Sequence, residues 1–204
     1  MQLRHTIIKT LVYCGLVASV WLIIYADARW PLNGAGQKFT EHSYTEYAQE
    51  IILFIVAGLF FLTAVRVRPK RSFGLLMSAF FTLALIRELD GFFDSVWHGF
   101  WKVPCLFATV GFGSLFDRCK KNFMRDALEF IERPEFGIFI CGLITVLVFS
   151  RLFGSNFLWE PVMADGYIRC VKNMAEEGLE LLGYLFFAIA AVEYYVFKNS
   201  LKSK

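Results

Sequence analysis

Arg87, Asp90, Asp94, His98 and Trp101 are spaced 3, 4, 4 and 3 residues apart, so on a helix they fall within about 60° of one another. Phe92, Phe93, Val96 and Phe100 take the far side. Asp94 and His98, at i and i+4, stand at the separation needed to share a metal ion or a hydrogen bond. Arg87, followed directly by Glu88, closes an apolar run, where a charge is costly unless it is paired or reaches water. That points to an ion pair with Asp90 or Asp94, or to a hold on a head group. Trp97, Trp101 and Lys102 suit an interfacial belt that anchors helix ends. Gly91 and Gly99 argue against an unbroken helix through the stretch.

Two more segments carry acids in register. Glu46 and Glu50 share a face that continues into Leu53, Ala57, Phe61 and Ala64, and Glu176, Glu180, Gly183, Phe187, Ala191 and Tyr194 lie along one line. If these helices meet the first segment, Glu50, Asp90, Asp94, His98, Glu176 and Glu180 converge. Small residues beneath acids are what close packing under a polar pocket uses. Such a cluster needs a cation to offset like-charge repulsion. Oxygen ligands suit calcium or magnesium, and His98 or His42 would admit zinc or manganese. The expected metal ligands are Glu50, Asp94, His98, Glu176 and Glu180, around a divalent cation. Asp90, Asp94, His98 and Glu50 are the candidates for catalysis. The competing reading is a solvated acidic face. Glu193, a turn inside the end of the last helix, calls for a structural partner such as Arg66 or Arg68.

Other chemistries find little footing. The five cysteines, at 14, 105, 119, 141 and 170, show no CxxC spacing, and phosphate-loop, dinucleotide, nucleophile-elbow and HExxH patterns are absent. Histidine is missing from the apolar segments, which disfavours haem.

The elements that must position these residues are membrane helices. Of 204 residues, 57% are hydrophobic and only 19% charged, and there are 23 phenylalanines, against about a quarter charged in soluble proteins. Apolar runs over about 7–26, 48–65, 72–89, 103–117, 136–153 and 178–197 predict six spans, the third and fourth being short. The first is expected to be a retained helix rather than a cleaved signal. The basic residues Arg4, Lys9, Arg66, Arg68, Lys70, Arg71, Arg118, Lys120, Lys121, Arg125, Arg133, Lys198, Lys202 and Lys204 then fall on one side. Most acids, among them Asp27, Glu41, Glu160 and Asp165, fall on the other, so both termini are cytoplasmic. A four-span alternative makes 72–117 a re-entrant pair. Residues 1–204 form one all-α integral membrane domain, a six-span helical bundle with short loops. Its expected location is the bacterial inner (plasma) membrane.

Two local features complete the plan. Ser43 or Thr45 is expected to cap the second helix. Residues 120–133 read as a short amphipathic helix stopped before Pro134, with Phe123, Leu128 and Ile131 as partner-binding residues and anionic lipid beneath its basic side chains.

Small size and sparse intramembrane polarity favour an interaction, scaffold or sensor subunit of a homo-oligomer or multi-protein complex, contacting bilayer and protein and not nucleic acid. The alternatives are a metal-dependent membrane enzyme acting on lipid head groups, and a cation channel or transporter protomer.

Overall fold

The computed structural model describes residues 2–32, 39, 42–66 and 71–202, and these are helical nearly throughout, with no strand among them. Glu41, Arg68, Lys70 and Lys204 lie outside the described residues. In chain order the helices are α1 (Gln2–Arg29), α2 (Tyr44–Arg66), α3 (Arg71–Glu88), α4 (Asp90–Asp94), α5 (Lys102–Asp117), α6 (Phe123–Ile131), α7 (Pro134–Ile144), α8 (Ser150–Phe153), α9 (Asn156–Met163) and α10 (Arg169–Lys202). One π-helical turn, Thr145–Phe149, joins α7 to α8. Pro134 opens α7, where its missing N–H costs nothing.

Four segments are long and apolar enough to cross a membrane: Thr6–Arg29, Tyr44–Arg66, Pro134–Phe153 and Arg169–Val196. The protein is therefore an all-helical chain with the character of a membrane protein. The third and fourth predicted spans appear as α3, with 18 residues, and α5, with 16. At 1.5 Å per residue these rise about 27 and 24 Å, short of a hydrocarbon core of about 30 Å.

The chain divides into two compact units, Met1–Gln49 with Gly142–Leu185, and Glu50–Cys141 with Phe186–Lys204. In the first, the start of α2 is capped with unusual completeness. A helix begins with unsatisfied N–H groups. Here Asp27, buried at the end of α1, accepts from the Tyr44 N–H at 2.7 Å, from the Thr45 N–H at 2.8 Å and from the Thr45 hydroxyl. Ser43 Oγ accepts from the Glu46 N–H at 3.1 Å, and the Glu46 carboxylate accepts from the His42 N–H. Of the two expected caps, Ser43 does the capping, and Thr45 instead donates to Asp27. The Asp27 charge also complements the positive end of the α2 dipole.

Close packing in this unit depends on glycine. A Cβ at Gly183 would strike the Val146 side chain and lie 3.1 Å from the Gly142 carbonyl, and one at Gly178 would stand 2.7 Å from Ile24 Cδ1.

The second unit is packed with rings. Phe60 stacks on Phe81 with centroids 5.7 Å apart, Phe81 meets Phe187 at 5.0 Å, Phe139 meets Phe187 at 5.1 Å, and Phe73 and Tyr194 meet Phe130 at 4.9 and 5.1 Å. α2 and α3 approach closely because a Cβ at Gly74 would already touch the Phe60 carbonyl at 3.0 Å, and Ser78 donates to the Ala57 carbonyl at 3.0 Å. The buried face of α2 here runs through Leu53, Val56, Ala57, Phe60 and Ala64, while Phe61 is exposed. The expected line through Phe61 is thus displaced by one residue, since Phe60 is the side chain that reaches Phe81.

Candidate functional site

The predicted polar stripe forms as two separate pairs rather than one face. The chain is helical to Glu88 and again over Asp90–Asp94, then turns through Gly99, whose φ of +85° a side chain would resist. Asp94 uses one oxygen to accept the Gly99 N–H at 2.8 Å, which holds that turn, and His98 Nδ1 lies 3.1 Å from the other. His98 is fully exposed. Arg87 pairs with Asp90 and lies 5.7 Å over the Trp101 ring. These are the contacts of a helix end at a water boundary.

The acids of α10 in the first unit are placed differently. Glu180 is buried; Arg151 donates to it, and the Ser150 hydroxyl lies 3.2 Å from Glu180 Oε1 and 2.6 Å from the Val146 carbonyl. Arg151 also reaches Glu176 Oε1 at 3.4 Å, and Lys172 donates to Glu176 Oε2 at 3.0 Å. The π-helical turn directly precedes Ser150 and Arg151. Such a turn shifts the register of whatever follows it and is frequent at functional positions. Gly154 lies so close to Glu176 that a Cβ there would strike its carboxylate.

Gln49 completes this region. It is fully buried, and its Nε2 donates to the Glu177 carbonyl and to Glu177 Oε2, both at 3.1 Å. Two acceptors on one side fix the amide orientation. Gln49 Oε1 is left buried without a donor among the described residues. Leaving a buried acceptor unmet costs about 1–3 kcal/mol.

The remaining predicted residues are placed as follows. Glu50 on α2 is half-buried and belongs to the second unit, as do Glu88, Asp90, Asp94 and His98, while Glu176 and Glu180 belong to the first. Among the described residues no group of three or more His, Cys, Asp and Glu side chains is arranged to hold a metal ion. Arg66 donates to the Tyr195 hydroxyl and lies 5.8 Å over that ring, and Glu193 is half-buried. On α6, Leu128 and Ile131 are exposed beside Met124, and Phe123 turns half inward against Phe116 at 5.6 Å. Asp126, a charged residue on that helix, is buried. It is tolerated there because the Ser72 hydroxyl donates to it at 3.0 Å and Arg125 stands at 3.5 Å.

Residues that the sequence reading left out carry most of this polarity. They are Arg151 and Ser150, Lys172, Gln49, and Glu135, which pairs in bidentate fashion with Arg133 at 3.1 and 2.7 Å. Two signals pointed to them: Arg151 is a charge near the end of an apolar run, and Lys172 stands four residues before Glu176. Of these pairs, Arg151 with Glu176 and Glu180 ties α8 to α10, while Arg87 with Asp90, Lys172 with Glu176 and Arg133 with Glu135 are local in the chain.

Protein-family models, curated proteins and solved structures were compared with this chain, and none matches it.

Proposed function

We propose that this chain is a membrane-embedded interaction subunit that self-associates or joins a larger membrane complex through α1. The observation that supports this is the bareness of that helix. Only 6% of its spanning window is buried within the chain, against 56% for the window in α10. Val20 and Asp27 are buried, whereas Leu11, Leu16, Trp21 and Leu22 are exposed. Lipid tails solvate leucine as well as another helix does, so association in a bilayer relies on small residues that admit close backbone approach. Gly15 and Ser19 stand at i and i+4, and a Cβ at Gly15 would meet nothing within 4 Å. A face of this kind is available to a second helix.

The finer topology belongs to the same reading. We take α3 and α5 as the third and fourth of six spans, with both termini cytoplasmic in a bacterial inner membrane. Arg71 at the start of α3 and Arg118, Lys120 and Lys121 after α5 outnumber Arg87 and Lys102 at the opposite ends, which favours this orientation.

Subunit counting by native mass spectrometry from lipid nanodiscs tests the proposal. Wild type is expected as an oligomer or with a stoichiometric partner, and Gly15→Leu is expected to weaken that association about tenfold. A wild-type chain that stays monomeric and partner-free when extracted directly from its native membrane would sink it.

A further inference from the structure

α3 and α5 in the second unit enclose a groove. Leu75, Ala79 and Leu83 on α3 line it with Thr109, Gly113 and Phe116 on α5, around a cavity of about 310 Å³. The lining positions recur at i, i+4 and i+8 on one helix and i, i+4 and i+7 on the other, so the groove runs lengthwise for about 12 Å. Its wall is apolar. The one polar side chain there, Thr109, donates its hydroxyl to the Cys105 carbonyl at 2.8 Å. Leu76 and Phe80, also on α3, are exposed at its edge.

Charge selects the occupant. At one end of the groove the charges are basic. Arg71 lies one turn before Leu75, Arg118 lies two residues after Phe116, and Lys120 and Lys121 follow. Arg71 is close enough to Cys119 for its charge to favour the thiolate, which places the start of α3 beside the end of α5. Of the acids at this end, Asp117 is paired with Lys120 at 2.5 Å and Asp126 is buried and accepts from the Ser72 hydroxyl. Arginine forks match phosphate oxygens, and basic pockets beside membrane helices hold acidic head groups.

We propose that this groove holds one acyl chain of an anionic phospholipid from the surrounding bilayer, with its phosphate between Arg71 and Arg118. This site is distinct from the α1 surface and rests on α3 and α5 lying in the bilayer as proposed above, so its failure leaves association through α1 untouched.

Glycine supplies the test. A Cβ at Gly113 would meet nothing within 4 Å, and the same holds for Gly111 on the same helix, which does not line the groove. Gly113→Leu therefore adds a branched side chain to the groove wall from a Cβ that has room, and Gly111→Leu serves as its control. The delipidated full chain is incubated with equal dioleoyl phosphatidylglycerol and dioleoyl phosphatidylcholine, and bound lipid is identified by native mass spectrometry. Wild type and Gly111→Leu are expected to retain one phosphatidylglycerol per chain, and Gly113→Leu none. Arg71→Gln with Arg118→Gln is expected to keep a lipid but lose about fivefold of the preference for each charge removed. Equal retention of the two lipids by wild type, or undiminished binding by Gly113→Leu, would overturn the proposal. So would a bound protein chain that Gly113→Leu excludes.

Discussion

In the first unit the contacts that tie helices together are charged and directional: Asp27 to the start of α2, Gln49 to Glu177, Arg151 to Glu176 and Glu180. In the second they are mostly ring on ring, with Phe81 at the centre touching Phe60, Phe139 and Phe187, beside hydroxyl bonds from Ser72 to Asp126 and from Ser78 to the Ala57 carbonyl. Surrounded by lipid, rings gain little from leaving their solvent, because hydrocarbon is as apolar as they are, and what remains is shape and dispersion. A charged pair gains far more from its partner, because the alternative is a charge in a poor solvent. The two units should therefore fail differently. The polar one should depend sharply on single groups, and the aromatic one should tolerate substitutions that conserve volume.

Arg151→Ala makes the sharpest break. It takes the guanidinium away from the buried Glu180 carboxylate; because Arg151 itself is 61% exposed, the loss is expected at about 3 kcal/mol, the low end of the range for a fully buried pair. Thermal unfolding in detergent should show that loss, and Glu180→Gln added to Arg151→Ala should recover a large part of it. A double-mutant cycle with no coupling would show that the pair holds nothing. Asp27→Ala should come next, at about 2 kcal/mol, for the loss of the α2 cap. Asp27→Asn should cost less, because one amide oxygen still accepts. Phe81→Leu, the matching change in the second unit, should cost under about 1.5 kcal/mol because volume is nearly kept. If Phe81→Leu proved as damaging as Arg151→Ala, the contrast between the units would collapse.

Much of the helical plan was legible because it rests on composition and period. The apolar runs delimit α2 and α7 with α8 within four residues and α1 within five, whereas α10 begins at Arg169, nine residues before the run over 178–197; the line through Glu180, Gly183, Phe187, Ala191 and Tyr194 is part of the buried face of α10. The site was harder to read. The spacing of Asp94 and His98 correctly implied a close pair, yet spacing says nothing of exposure, and His98 stands in the open. Partners distant in sequence, such as Ser150 for Glu180 or Glu177 for Gln49, are set by how helices meet. The π-helical turn that precedes Ser150 leaves no mark in residue type. Asp126 shows the same limit from the other side: a charged residue on an amphipathic helix is buried because α3 contributes a hydroxyl to it.

The smallest effect probes the end of the second unit, where charges stand beside the rings. Cys119 follows α5, and its thiol donates to the Leu115 carbonyl at 3.4 Å. Burial pushes its pKa above the ordinary thiol value; Arg71 opposes this and Asp126 adds to it. The thiolate is the reactive form, so at a fixed pH near 8 a raised pKa means a smaller thiolate fraction and slower alkylation. Raising the pH should restore the rate. With Cys14, Cys105, Cys141 and Cys170 replaced by alanine, maleimide should label Cys119 more slowly than a free thiol peptide at the same pH. Arg71→Gln removes the charge that lowers the pKa and should slow labelling further. Asp126→Asn removes the one that raises it and should speed labelling, while its amide oxygen still accepts from Ser72. If Arg71→Gln and Asp126→Asn moved the rate in the same direction, access and not charge would be in control. The basic end of the second unit would then act by covering Cys119 and not by its field.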